Sequence, residues 1–425
     1  MKYCILIAII ATLLSCRKSA ETIVRLHVDG GLDVEPALIT KDSTYQSALG
    51  ADNSVEFCLA ENVRPDYVIF FLGETNLLGY VEPGKSLELS VSFEDGNAKP
   101  VFSGEGAEIC RFLNSGVSRF TPDYKLEEAE FLASLAAGVQ RMYAEIDAHD
   151  FNTQFTALEK KRMTYNVYNT LPDYPISHVF ATWKEYKPSE NYYQKLNEVF
   201  TEDETLLDIQ SYQDFIKKYV NAMIYKNGDE YDDLQYRQKQ QEYIVQNLKN
   251  PQVIEYLIHD ALYEHVKNNG IRDLQELLPV YQTQVKDAAK KAAFDELCGK
   301  WLRIAEGQPS PSFKYLDIHG KEVSLADLAG KYVYIDIWAT WCGPCCQELP
   351  FLEKLEKKYK GKNIYFVSIS FDQDRKAWEK MVKEKQLSGI QLQAFKNDDF
   401  RNIYMIPQFP ASSCWIKKEK SSMHT

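Results

Sequence analysis

No run of basic residues in this sequence is long enough to form a nucleic-acid footprint, and 49 Lys and Arg against 61 Asp and Glu leave a net charge of −12. Partners that bind through a positive field, nucleic acid above all, are therefore not expected. Histidine is scarce, seven in 425 residues. The closest pair, His259 and His265, face different sides of a helix and have no cysteines nearby, so no metal site is expected. The apolar stretch Ile5 to Leu14 is too short to cross a bilayer and stay there. No fixed-period repeat and no phosphate loop is present, and no cofactor is called for. Nine cysteines are present, but only Cys342, Cys345 and Cys346 cluster. Cys58, Cys110 and Cys298 sit singly in apolar patterns and read as small buried hydrophobes. The chain is not a disulfide scaffold; it has one concentrated thiol site.

What is there divides into segments. A chain of this length exceeds one compact core, and 45% apolar content with mixed charge suits folded material. The start, "MKYCILIAIIATLLSCRKS", has a basic Lys2, a short apolar core and then Ser15 and Cys16, and reads as a signal segment over 1–16. "LLSC" resembles a bacterial lipobox, which implies a lipid anchor on Cys16 in the cell envelope or periplasm. The alternative is an ordinary signal peptide with an incidental cysteine.

Residues 22–103 alternate in short runs, "TIVRLHV", "SVEFCLA", "DYVIFFL", "LLGYVEP" and "SLELSVSF", with turns between them. They predict a small antiparallel β domain. Residues 107–305 take up helical spacing, with Val285, Ala289, Ala292, Ala293 and Leu297 on one predicted face. The many tyrosines there are expected to cover helix–helix seams. After the linker "AEGQPSPSF", residues 306–425 alternate strands and helices, which implies a parallel core. The fold class expected is multidomain α+β.

The chemistry concentrates in "WATWCGPC". A Cys-x-x-Cys pair opening a helix lets two sulfurs meet within one turn, while the helix N-terminus favours a thiolate. Cys342, at the exposed start, is the expected nucleophile, and Cys345, one turn in, the resolving thiol. Gly343 and Pro344 separate them, Pro344 needing no hydrogen-bond partner in the first turn. Trp341 is expected to shield the pair. Cys346 points about 100° away from Cys345 and reads as a bystander. No second Cys pair exists to complete a zinc site.

These residues resemble the thioredoxin superfamily, and within it the extracytoplasmic TlpA/ResA-like branch, over about Gly307 to Pro410. The preceding β and helical segments are similar to the N-terminal portion of Bacteroidetes lipoproteins. The resemblance implies further site residues: Asp336 as the buried acid of the preceding strand, Glu348 as the acid of the "CxxCxxExP" pattern, and Pro410 as the cis-proline facing the disulfide. Burial beside thiols is expected to raise the pKa of Asp336 and Glu348. Pro350 matches the family's helix-kinking proline.

The tail is the exception. "ASSCWIKKEKSSMHT" has neither strand alternation nor a helical face, where the family has two antiparallel strands and a closing helix. The tail can be encoded so that the frame one base earlier reads "RFIMLDKEGKIIDA", similar to the family's ending; with TCN serine codons its second and third residues must be Phe, Leu, Ile or Val. Residues 411–425 are thus expected to be a frameshifted tail, leaving the domain truncated after Pro410, without its antiparallel edge, and unstable or weakly active.

The function expected from the resemblance is a thiol-disulfide oxidoreductase that reduces disulfide-bearing partner proteins, apocytochrome c among the classes allowed, in cytochrome c biogenesis. A membrane thiol-disulfide electron donor would recharge it. Two alternatives stand beside it: a binding lipoprotein with a degenerate redox module, and a thiol peroxidase of the AhpC/TSA type.

Overall fold

The computed structural model describes residues 22–30, 35–41, 43–59, 65–73, 75–116, 119–394 and 400–406, with the backbone of 411–417. Cys16 and Pro410 lie outside the described residues. Contacts divide the chain into two compact units, Met1–Thr201 with Asp208–Tyr219, and Glu202–Leu207 with Val220–Thr425.

The first unit opens with strands β1 (Thr22–Val28), β2 (Ala37–Ile39), β3 (Thr44–Gln46), β4 (Ser54–Leu59), β5 (Asp66–Leu72), β6 (Thr75–Val81), β7 (Leu87–Glu94) and β8 (Asn97–Gly104). They form two four-stranded sheets, ordered β4-β1-β7-β8 and β3-β2-β5-β6. Alternation along β1 buries Val24, Leu26 and Val28 in a core shared with Phe70, Leu89 and Cys110. The sheets are not wholly antiparallel: β1 and β7 pair in parallel. The strands of the second sheet lie between them in sequence, long enough a connection to return the chain in the same direction.

Cys58 corrects a second expectation. The burial pattern of β4 alternates, and Cys58 falls on its exposed side between buried Phe57 and Leu59. Helices α1 (Ala107–Asn114), α2 (Glu128–Asp147), α3 (Thr153–Tyr168), α4 (Tyr174–Thr182), α5 (Glu190–Val199) and α6 (Gln210–Ile224) follow. Tyr174, Tyr192 and Tyr212 are buried among them, hydroxyls donating to the carbonyls of Leu126, Leu171 and Thr201. Their rings serve packing while their polar ends are satisfied by backbone.

The second unit takes in the last turn of α6 and then α7 (Asp233–Asn247), α8 (Pro251–Asn269), α9 (Leu274–Gln284) and α10 (Ala288–Arg303). The face predicted from Val285 to Leu297 does not exist as one surface. Val285 caps the C-terminus of α9, and Asp287 starts a new helix by accepting from Ala289 N and Lys290 N. Phe294 and Leu297 are buried, whereas Ala289, Ala292 and Ala293 are exposed. The cap outweighs the weak apolar pull of three alanines.

Next come β9 (Lys314–Asp317), β10 (Glu322–Ser324), β11 (Tyr332–Trp338), α11 (Gly343–Lys358), β12 (Ile364–Ser370), α12 (Arg375–Glu384), β13 (Ile390–Gln393), α13 (Phe400–Ile403) and β14 (Ala411–Lys417). Their six-stranded sheet runs β10-β9-β13-β12-β11-β14, with β11, β12 and β13 parallel. Val333, Ile335 and Ile337 enter one core with Val367 and Leu392. Trp338 enters a second core with Cys342, Cys345 and Trp378.

The expectation of a missing antiparallel edge is corrected here. β14 pairs antiparallel with β11, from Tyr332 opposite Lys417 to Ile337 opposite Ala411, with an irregularity between Ile335 and Ile337. Main-chain pairing at a sheet edge does not require alternating side chains.

Candidate active site

A buried strand delivers the site. β11 ends at Trp338, a tight turn over 339–341 follows, and α11 begins at Gly343 with Cys342 as its N-cap. The Cys342 N–H donates to Ala339 O at 3.1 Å, and the Cys346 N–H donates to Cys342 O at 3.0 Å. Pro344 sits in the first turn, where an N–H would have no helical acceptor. Pro350 lies inside the helix.

Cys342 and Cys345 are joined by a disulfide, with Cα atoms 5.2 Å apart. The Cys345 N–H donates to Cys342 Sγ at 3.2 Å. That arrangement places Cys342 where helix-terminal N–H groups favour negative charge on sulfur. Cys342 was expected at an exposed position, but it is only 5% exposed and Cys345 only 3%. The cover comes from Trp338, Leu349, Trp378 and Val382. Trp341, expected to shield the pair, is itself 66% exposed; Gly343 is exposed beside it.

The acidic residues separate. Successive side chains of a strand alternate, so Asp336 shares a face with Trp338, the face that carries the thiols, while Ile335 and Ile337 enter the opposite core. Loss of hydration pushes the Asp336 carboxyl up to about 6, opposed by the Ile337 N–H and reinforced by the charges of Glu348 and Glu356. Glu348 is exposed, against the expectation that it would be buried beside the thiols. The first turns of α11 carry Cys345 and Leu349 inward, which turns Glu348 toward solvent.

Cys346 is a half-buried free thiol, with Sγ 3.7 Å from Thr340 O. It borders a cavity of about 220 Å³ lined also by Leu349, Glu356, Ser368 and Gln391. Ser368 is the register partner of Asp336 on β12.

Residues 305–400 match the Redoxin family. The segment is 37% identical over 81 residues to the thiol-disulfide oxidoreductase ResA of a Bacillus cereus strain, spanning 19% of this chain and 47% of that one. It is 43% identical over 84 residues to the thioredoxin-like protein YneN of Bacillus subtilis, spanning 20% of this chain and 48% of that one. Over this segment the chain is thioredoxin-like and similar to the TlpA/ResA-like branch. Among solved structures, a candidate thiol-disulfide oxidoreductase from Bacteroides vulgatus is 58% identical, covering 24% of this chain and 69% of that one, with a TM-score of 0.22. The chain spans about half the length of the two curated relatives.

Sequence reasoning missed several parts of the thioredoxin-like site. Asp372 is 4% exposed and accepts hydrogen bonds from Thr340, two residues before Cys342. Trp338 and Trp378 are fully buried against the thiols. The signal available was the acidic residue just after a buried strand, "SISFDQD", a position where a carboxylate can meet the neighbouring strand-to-helix turn.

A separate cluster, Asp233, His265 and Asp273, has the spacing of metal ligands. Arg237 already faces Asp233 at 3.6 Å, and burial together with Arg237 lowers the affinity of His265 for a proton. A resident guanidinium supplies the cationic partner that a metal would otherwise provide.

Proposed function

We propose that the chain is an extracytoplasmic thiol-disulfide oxidoreductase that reduces disulfides of partner proteins through Cys342 and Cys345. The observation that carries this reading is the pair itself: a disulfide at the N-terminus of α11, on the sheet face of a carboxyl that desolvation pushes up to about 6. The names of the ResA relatives support the same reaction class.

The chemistry runs in two exchanges. In the reduced protein the Cys342 thiolate attacks one sulfur of the partner disulfide. A Cys342–partner bond forms as the partner S–S bond breaks, and the departing thiolate takes a proton from water. Asp336, ionised above a pKa of about 6, then accepts the Cys345 proton. The Cys345 thiolate attacks Cys342 Sγ, the mixed disulfide breaks, and the second partner sulfur leaves as a thiolate that takes up the proton held by Asp336. Two electrons have passed to the partner, and the Cys342–Cys345 disulfide is the product left behind. A membrane-borne dithiol donor returns the pair to its reduced form.

Glu348 tunes Asp336 through charge, and Pro410 is assigned the substrate-facing role that the resemblance implies. Cys16 carries the lipid that holds the protein in the cell envelope. Residues 22–103 form a β domain, 107–305 a helical domain and 306–425 the thioredoxin-like domain. Apocytochrome c is one substrate class suited to this chemistry.

The test is a redox titration of the chain without its signal segment, with thiol trapping and mass assignment. A reversible two-electron transition confined to Cys342 and Cys345 is expected. Equal reactivity of all cysteines, with no transition, refutes the reading.

A further inference from the structure

Asp372 lies just past the C-terminal end of β12 and is 4% exposed. A carboxylate this deep must be compensated by hydrogen bonds, and its partners come from two segments. The Thr340 N–H donates to both oxygens, at 2.9 Å to Oδ2 and 3.2 Å to Oδ1. The Thr340 hydroxyl donates to Oδ1 at 2.6 Å, and the Ser370 hydroxyl donates to Oδ2 at 2.7 Å. The backbone of Asp372 is fixed in turn: its N–H donates to Ser370 Oγ at 3.0 Å, and its carbonyl accepts from Gln393 Nε2 at 2.7 Å.

Thr340 is held from its other side as well. Its carbonyl faces the Cys346 thiol at 3.7 Å, and just before it Trp338 O accepts from Phe371 N at 3.0 Å. The Phe371 bond alone would close the β11–β12 crossover. The carboxylate adds something different, a directional constraint on the N–H and hydroxyl of one turn residue. From Thr340 the chain runs through a single residue, Trp341, to the N-cap.

We propose that Asp372 is a positioning residue: with Thr340 it forms a clamp that fixes the Cys342 sulfur at the N-terminus of α11. This rests on the oxidoreductase reading above. The physical need is plain. The stabilisation a helix N-terminus offers a thiolate falls off within the first turn, so it depends on Cys342 Sγ staying near the Cys345 N–H, 3.2 Å away. A turn free to rock loses that contact part of the time, and attack on a disulfide is sensitive to such displacement.

Two accounts of Asp372 make opposite forecasts. As a clamp, it speeds attack by Cys342. As a buried negative charge and nothing more, it disfavours a neighbouring thiolate and slows attack. Thr340→Val removes the hydroxyl contact and keeps the charge; Asp372→Asn removes the charge and weakens the clamp; Thr340→Ser keeps the hydroxyl. The experiment uses the full chain in reduced form. It measures the rate at which Cys342 attacks 5,5′-dithiobis(2-nitrobenzoate) and the pH midpoint of Cys342 alkylation, assigned by mass, with thermal melting in parallel.

The clamp predicts that Thr340→Val and Asp372→Asn both slow attack about tenfold, as loss of an orienting hydrogen bond to a charged group should. Both raise the alkylation midpoint, and Thr340→Ser stays near the parent. Faster attack by Asp372→Asn, or lowered melting with unchanged rates and midpoints, overturns it. Should Asp372→Asn fail to fold, the two Thr340 variants decide the question alone. A parent chain lacking a selectively reactive Cys342 would instead count against the oxidoreductase reading itself, before any variant is compared.

Discussion

Cys110 and Cys345 are buried to nearly the same degree, 0% and 3% exposed, in different units of the molecule. Cys110 sits in the core of the N-terminal sheets, where its sulfur accepts from Tyr80 N at 3.4 Å and lies 3.7 Å from Tyr80 O. Desolvation pushes that thiol up to about 11. The Cys342–Cys345 pair is as dry but lies at the start of a helix, with Cys345 N–H directed at Cys342 Sγ. Burial by itself makes a thiol inert; burial beside unpaired helix N–H groups makes a protected site for thiolate chemistry.

The largest effect that would break this comparison is exchange of the cysteines themselves. Cys342→Ser is expected to abolish reduction of a model disulfide, whereas Cys110→Ser leaves its rate at the parent value. Cys345→Ser should let the first exchange proceed and accumulate a mixed disulfide on Cys342, visible by mass. If Cys110→Ser removed activity while preserving the fold, the division between a structural and a reacting thiol would collapse.

The same contrast separates what the sequence disclosed from what it hid. Strand β11 and helix α11 were legible because a continuous apolar run feeds a Cys-Gly-Pro-Cys turn, and both signals are local. β1, β4 and β5 were legible from alternation. The three-residue strands β2 and β3 were not, since three residues carry too little period to register. The break between α9 and α10 was lost because the alanines beyond it suggested a stripe, while the cap at Asp287 decided the boundary. Asp372 was hidden for a different reason: its meaning comes from Thr340, 32 positions away in sequence. The exposure of Glu348 was also out of reach, because motif spacing places it one position before the buried Leu349 without saying which way the helix turns.

Asp336 sharpens the comparison at the level of charge. Its carboxyl is raised from 3.8 to about 6, mainly by desolvation. The folded state therefore holds a proton that the unfolded state gives up between about pH 4 and pH 6. Stability from this group is fully present below about pH 4 and is lost as pH rises through 6. At pH 7 the ionised Asp336 costs about 2–3 kcal/mol, because each pH unit separating the folded and unfolded midpoints is worth about 1.4 kcal/mol. Asp336→Asn should therefore melt higher at pH 7, show a smaller stability decline from pH 4 to 6, and release its mixed disulfide more slowly. Denaturant unfolding at several pH values measures the first two, and quenched trapping the third. A variant less stable than the parent at pH 7 would mean that the Asp336 carboxylate is well compensated.

The smallest effect concerns Glu348. Its charge raises the Asp336 pKa from an exposed position, so water and salt screen the interaction. Glu348→Gln removes a like charge and should lower the Asp336 midpoint by about 0.5 pH unit at low salt. The change should shrink toward zero as salt rises, because an exposed charge acts mostly through solvent. Stability at pH 7 should rise slightly, since less of the repulsion that opposes ionisation remains. A Glu348 that instead touched the sulfurs directly would behave differently, changing the Cys345 release rate at every ionic strength with no movement of the Asp336 midpoint. Titrating the variant and the parent at two salt concentrations separates a screened charge from a residue of the reacting centre.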